Sequence, residues 1–208
     1  VFEAARLGGV KKVAYASSSA VEEGEKRLNG MYAMSKATGE RIAASYREGF
    51  GLASVCLRYF NVYGPRQDYR RAAPPVISKF IISILKGERP ILFANDDRNK
   101  RDFVYIDDIN NFHIICIQNN KVDNQMFRLA SGRSTSIKEL FEIVKKVMNS
   151  KIDPRIQNPP LNSDVPIEPV ADISAAQDLG WNPKMKLEDG LKTMVDFLKN
   201  EMKIGRLR

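Results

Sequence analysis

The chain has 208 residues, 43% hydrophobic and 28% charged, and its 33 basic and 25 acidic side chains give a net charge of +8. This balance excludes a disordered chain and fits one substantial domain, or one with a smaller companion. No apolar run reaches bilayer length, and the basic residues are dispersed apart from Arg70-Arg71 and the 98–101 segment, so neither a membrane nor a nucleic acid is expected as partner.

Residues 1–7 read as a helix stopped by Gly8-Gly9. The chain starts inside that helix on Val1, without a Met, and the expectation is that an N-terminal part of the fold lies outside the sequence. A short apolar strand, 11–16, closes on Ser17-Ser18-Ser19. The polar, Gly-bounded stretch 21–30 reads as a loop. Residues 32–49 form a helical pattern whose Ala33, Ala37 and Gly39 leave room for a close neighbour, with Ile42, Ala43 and Tyr46 as further apolar positions. Residues 52–59 are a strong strand with few polar interruptions, as in the middle of a parallel sheet.

Asn61 to Arg66 then turns the chain. Pro74-Pro75 opens a helix whose apolar face is Val76, Phe80, Ile81, Ile84 and Leu85, ended by Gly87. Strands are expected at 90–93 and 102–105, followed by a helix capped by Asp107 and running to Ile117. A strand at 125–129 leads to a helix from Ser136 to about Met148, whose start fits the Ser-x-x-Glu cap with Glu139. The stretch 153–169, with five prolines, reads as irregular. A short helix at 172–179, a turn at Trp181-Asn182-Pro183 and a last amphipathic helix at 187–198 complete the chain. Strands alternating with helices place it in the α/β class.

The chemistry concentrates at Tyr32 and Lys36. Four residues apart on a helix, they share one face about a turn apart. With the serine run at a strand end, they bring together a hydroxyl, a phenol and an ammonium able to move a proton to or from an alcohol or sugar hydroxyl. A surface helix that carries Tyr and Lys by chance has the same pattern. Cys56 and Cys116 lie in apolar runs and read as free thiols of a reducing compartment. His113, in an apolar helical stretch, reads as packed or hydrogen-bonded; with one His and two scattered Cys no metal site is expected. No Gly-x-Gly-x-x-Gly or related turn joins a strand to a helix, so no pyrophosphate cradle is visible.

Five motifs in order resemble the extended short-chain dehydrogenase/reductase superfamily. They are Tyr15-Ala16-Ser17-Ser18-Ser19-Ala20-Val21; Tyr32-Ala33-Met34-Ser35-Lys36 with Gly39-Glu40; Leu57 to Gln67 (LRYFNVYGPRQ); Arg101 to Asp108 (RDFVYIDD); and Ala171-Asp172-Ile173-Ser174 leading to Leu179-Gly180-Trp181. Within that superfamily the chain is most similar to the NAD-dependent nucleotide-sugar epimerase/dehydratase family, in the manner of UDP-glucose 4-epimerases. The resemblance implies an α/β fold with a Rossmann-like parallel sheet and a smaller C-terminal α/β substrate domain. Residues 1–70 would be the C-terminal part of the NAD-binding domain. Residues 71–208 would be mainly the nucleotide-sugar domain, with about 101–125 returning to the first.

By the same resemblance, Tyr32 is the catalytic base and Lys36 contacts the nicotinamide ribose. Tyr59 lies on the cofactor side. Ser18, four positions before the place of the family's Tyr-Gly pair, is the active-site hydroxyl and touches substrate. Asn61 and Arg101 hold the diphosphate, Arg66 contacts substrate or a loop, and the strand ending at Phe93 lines the nucleobase pocket. The implied reaction is epimerisation at C4 of a UDP-hexose through a 4-keto intermediate, with NAD as cofactor, in a cytoplasmic homodimer that pairs through the 32–49 helix. A reductase or decarboxylase of the same superfamily, or a non-catalytic nucleotide-sugar-binding protein, are the other readings.

Three departures stand out. Glu22-Glu23 replaces the family's Tyr-Gly, and Ser18 lies only 14 positions before Tyr32, fewer than in the family. The turn after the nucleobase strand reads Ala94-Asn95-Asp96-Asp97, and no basic residue follows Asp164. Ser18 is also followed by Ser19-Ala20 rather than the acidic pair of dehydratases, which favours epimerisation over loss of water.

Overall fold

The computed structural model describes residues 1–24, 30–160 and 170–207. Its elements in chain order are α1 (Phe2–Leu7), β1 (Lys12–Ser18), α2 (Ala20–Gly24), α3 (Met31–Phe50), β2 (Ala53–Tyr59), β3 (Asn61–Tyr63), α4 (Val76–Leu85), β4 (Ile91–Phe93), β5 (Lys100–Arg101) and β6 (Phe103–Tyr105). There follow α5 (Ile106–Gln118), β7 (Met126–Leu129), β8 (Thr135–Ser136), α6 (Ile137–Val147), β9 (Arg155–Gln157), α7 (Ser174–Gln177) and α8 (Leu187–Lys203). They form two compact units: unit 1 is Val1–Phe60, Asp107–Ser131 and Ala171–Pro183, and unit 2 is Asn61–Ile106, Gly132–Val170 and Lys184–Arg208. The break therefore falls at Phe60–Asn61 rather than near residue 70. The stretch that returns to unit 1 is 107–131 rather than about 101–125, and 171–183 joins it. The cause is strand pairing: β7 adds to β2, whereas β3, immediately after β2, pairs with β6.

Unit 1 is built on a parallel sheet in the order β1-β2-β7. The apolar run of β2 takes the middle, with Val55 and Leu57 fully buried. The register aligns Ser17, Arg58 and Arg128 in one row and Ser18, Tyr59 and Leu129 in the next. Successive residues of a strand point to opposite faces, so the two rows diverge. α3 lies against β1 at Gly39, where a Cβ would run into the Tyr15 ring; only glycine permits that approach. Gly51 ends α3 in the left-handed conformation (φ 67°), its N–H donating to the Arg47 carbonyl. Phe2 of α1 stacks on Tyr46 at 5.7 Å between ring centroids, beside buried Ala43 and Leu52. A second aromatic cluster joins Phe112, Phe127 and Trp181, with the indole N–H donating to the Asp108 carbonyl at 2.8 Å. Trp181 is thus core, 3% exposed.

Unit 2 packs α4, α6 and α8 through one apolar face each: Ile77, Phe80, Ile81 and Ile84; Ile137, Leu140, Phe141 and Val144; Leu191, Met194, Val195 and Leu198. These faces follow helical spacing, and their burial is the main driving force of the unit. Phe80 and Phe141 meet edge to face at 5.5 Å. Ser136 caps α6 as expected, its Oγ accepting the Glu139 N–H at 3.0 Å. Two-stranded ladders β3-β6, β4-β9 and β5-β8 complete the unit.

Several local expectations need correction. β1 runs through Ser18 because its ladder to β2 continues to Tyr59. Ala20–Gly24 is helical where the sequence pattern suggests a loop. Asn61–Tyr63 is a strand, not part of a turn, and Arg155–Gln157 is a strand within the proline-rich stretch. Both are three residues long, too short to show a period, and are fixed by distant partners. Asp107 lies inside the first turn of α5 instead of capping it, since the helix starts directly off β6 at Ile106. Ile42 faces outward, 41% exposed, while Gly39 and Ala43 are the buried residues of α3. The rest of the 21–30 segment from residue 25 to 29, and the Asp164 position, lie outside the described residues. Among the described residues no helix is long and apolar enough to cross a membrane.

Candidate active site

In unit 1, Tyr32 occupies the first turn of α3 with 59% of its surface exposed. One turn on, the Lys36 Nζ sits 5.7 Å from the Tyr32 ring centroid and equally far from that of Tyr15. The ammonium donates to the Ala16 carbonyl at 2.9 Å, which ties this helix face to the end of β1. Ser18 follows two residues later, nearly buried, its Oγ accepting the Ala20 N–H at 3.2 Å. The structure thus joins Tyr32 with Lys36 directly and hangs both on the strand that ends in Ser18.

One further turn along the same helix face stands Glu40, to which the sequence pattern assigns no role. Its carboxylate accepts the Ser17 hydroxyl at 2.5 Å and a two-pronged bond from Arg58, Nε at 2.9 Å and Nη2 at 2.8 Å. Burial pushes the Glu40 carboxyl up, but the Arg58 and Ser17 hydrogen bonds outweigh it and hold the group below the usual carboxylate range. Glu22 accepts from Arg58 Nη1 at 3.3 Å and from Arg128 Nε at 2.6 Å. The signal for this cluster is an arginine inside each of two otherwise apolar strands, Leu57-Arg58-Tyr59 and Phe127-Arg128-Leu129. A charge there demands a partner.

Tyr59 spends its hydroxyl on His113 Nε2, 2.7 Å away, and burial pushes the phenol up to about 12 and the imidazole down. His113 is therefore packed and hydrogen-bonded as expected. Cys56 and Cys116 are free thiols, each pushed up to about 11 by burial. Among the described residues no cluster of His, Cys, Asp and Glu could hold a metal ion.

Unit 2 carries a cleft of roughly 290 Å³ lined by Asn61, Phe93 and Arg101 together with Lys79, Asp96 and Asn99. Three residues picked out from distant motifs thus converge. The Asn61 amide donates to the Asp102 carbonyl at 3.3 Å, and Arg101 Nη1 to the Lys100 carbonyl at 2.9 Å. Asp96 organises the turn after β4, its Oδ2 accepting the Phe93 N–H at 2.8 Å and its Oδ1 the Asn99 amide at 3.3 Å. The Asn99 Oδ1 is buried without a hydrogen-bond partner among the described residues, an acceptor suited to a ligand N–H. Two cations, an aromatic ring and amides are a donor set for an anionic aromatic ligand such as a nucleotide. Arg66 is exposed, adopts φ 68° in the turn after β3, and is not among the residues lining this cleft. Lys79 escapes a reading of the sequence, because one lysine on an amphipathic helix carries no signal of its own.

A parallel α/β unit with a Tyr-x-x-x-Lys helix against a serine-ended strand defines a protein of the short-chain dehydrogenase/reductase type. The chain belongs to the NAD dependent epimerase/dehydratase family, whose model matches residues 1–130. It is 34% identical to a putative UDP-glucose 4-epimerase of Methanocaldococcus jannaschii over 96% of this chain and 67% of the relative. Among solved structures, it is similar to the UDP-N-acetylglucosamine 4-epimerase of Methanobrevibacter ruminantium M1 in complex with UDP-N-acetylmuramic acid (33% identity, TM-score 0.86, 97% of this chain and 67% of that one). It is also similar to the UDP-glucose 4-epimerase of Thermus thermophilus in complex with NAD (29% identity, TM-score 0.79, 95% of this chain and 67% of that one). The chain spans about two thirds of the length of the relatives it matches.

The residues present fit one end of NAD. The exposed phenol of Tyr32 and the neighbouring ammonium of Lys36 are hydrogen-bonding groups suited to a nicotinamide ribose. A Gly-rich pyrophosphate turn is not contained in this sequence.

Proposed function

We propose that the intact protein is an NAD-dependent nucleotide-sugar 4-epimerase acting on a UDP-hexose. The observation that carries this reading is the Tyr32–Lys36 pair anchored on the carbonyl of Ala16, two residues before Ser18. Held at its nicotinamide ribose by Tyr32 and Lys36, NAD would supply a reversible hydride acceptor for the sugar's C4. Tyr32 takes the C4 hydroxyl proton and gives it back, as a positioned phenol can. Lys36 supplies positive charge beside the phenol and a donor for the ribose. Ser18 orients the C4 oxygen.

In unit 2, Arg101 and Asn61 take the diphosphate and Phe93 the nucleobase, supported by their meeting on one cleft. Arg101 suits this task because a guanidinium offers two charge-assisted bonds in a fixed fork. The exposed Met31, Met34 and Ile42 of α3 support pairing of two copies through that helix. The two free cysteines support a reducing compartment such as the cytoplasm.

Incubation of the intact protein with UDP-glucose or UDP-N-acetylglucosamine and NAD, followed by proton NMR of the products, tests the proposal. The C4 epimer is the expected product. A dehydrated, decarboxylated or reduced sugar as the main species, or saturable UDP-sugar binding without turnover, overturns it.

A further inference from the structure

We propose that Glu22 is a positioning residue for Ser18: by closing a charge-balanced quartet with Arg58, Arg128 and Glu40, it fixes α2 and with it the Ser18 hydroxyl. The role assigned to Ser18 rests on the epimerase reading above; the role of Glu22 in placing it rests on geometry alone.

Register puts Arg58 and Arg128 side by side on neighbouring strands, two like charges at one level of the sheet. Strands of a sheet lie only about 4.8 Å apart, so the pair requires carboxylates. Glu40 supplies one, but both its oxygens are committed, Oε1 to Ser17 and Arg58 Nε and Oε2 to Arg58 Nη2. Glu22 supplies the other, its Oε1 bridging Arg58 Nη1 and Arg128 Nε. Asp172 also feels the Arg128 charge, but its carboxylate is engaged first by the Ser174 N–H, at 3.0 Å. The two guanidiniums and two carboxylates joined by these bonds balance, and removing the Glu22 charge takes from Arg128 its direct ion-pair partner in a partly buried place.

α2 is a five-residue helix, too short to be stable alone, so its contacts decide where it lies. Val21 is buried and Glu22 makes the ionic bridge. Ser18 Oγ accepts the N–H of Ala20, the first residue of α2, and Glu22 N–H donates to the Ser19 carbonyl at 2.9 Å. A shift of α2 therefore rotates the Ser18 hydroxyl. Glu22 stands at a position where the resemblance leads one to expect tyrosine, and Arg128 supplies the partner that a tyrosine would not neutralise.

The test compares Glu22→Gln, Arg128→Gln and the double variant in the intact protein, with UDP-glucose as substrate. Glu22→Gln is expected to lower kcat by about tenfold or more while KM changes by less than about twofold, because the UDP-lining cleft belongs to unit 2. The double variant, neutral again, is expected to recover to within about threefold of wild type. Exchange of the Ala20 and Glu22 amides should quicken in Glu22→Gln, slow again in the double variant, and stay unchanged in β2. A role limited to stability would shift the urea midpoint without selective loss of kcat or rescue. Retention of kcat in Glu22→Gln, or no recovery in the double variant, overturns the inference. If the wild type itself shows no turnover, the epimerase reading fails, and the exchange pattern alone decides the role of Glu22.

Discussion

Unit 2 hangs its cleft on an apolar core, whereas unit 1 hangs the residues proposed to transfer a proton on charge. In unit 2, two of the elements that line the cleft, α4 and α6, bury Ile77, Ile81, Leu140 and Phe141 almost completely. In unit 1, α3 buries only Gly39 and Ala43 and is held to β1 by Lys36 on a carbonyl and by Glu40 on Ser17 and Arg58. Non-directional burial suffices to shape a cleft. Directional bonds are needed to fix the angle of a phenol proposed to meet one particular proton.

The largest expected effect separates the two jobs. Tyr32→Phe should lower turnover by about 10²–10⁴-fold, the usual contribution of a general base, while UDP binding measured by calorimetry is unchanged. A loss of UDP affinity of the same size would show that Tyr32 serves binding. Next, Phe80→Ala should destabilise the protein by about 3–5 kcal/mol in urea melts, because Phe80 is enclosed by α6 and is 1% exposed. A cost under about 1 kcal/mol would mean that unit 2 does not depend on its apolar core.

Arg101→Lys should weaken UDP about tenfold at unchanged melting temperature, since a point charge replaces a fork. The smallest effect concerns pH. The folded Glu40 carboxyl lies below its ordinary value of 4.5, so its contribution is complete above that value and is lost as pH falls through the folded one. The stability gap between wild type and Glu40→Gln should be widest at neutral pH and close below pH 4.5. A gap that widens with acidity would contradict the charge-held account of unit 1.

The long elements were legible in the sequence because they carry a period. The 76–85 and 187–203 helices show their apolar stripes, and β2 shows its continuous apolar run. Spacing alone put Tyr32 and Lys36 on one helix face, and only the family resemblance gave them roles. Asn61, Phe93 and Arg101 were not legible from spacing: they come from three separate strands, β3, β4 and β5, and only the family resemblance grouped them before the cleft did. The ladders β3-β6 and β4-β9 were illegible because three residues are too few to establish an alternation and their partners are distant. Arg66 is exposed in the turn after β3, beside Gly64, where an added Cβ would meet Ile106.

The most direct test of the central claim follows one atom. UDP-glucose carrying deuterium at C4 is incubated with the intact protein and NAD in ordinary water, and the product is examined by NMR. The account predicts a C4 epimer that retains the deuterium, because the hydrogen leaves and returns at the same carbon while Tyr32 exchanges only the hydroxyl proton. Washout of the label into water, or its appearance in a sugar that has lost water or carbon dioxide, would contradict it.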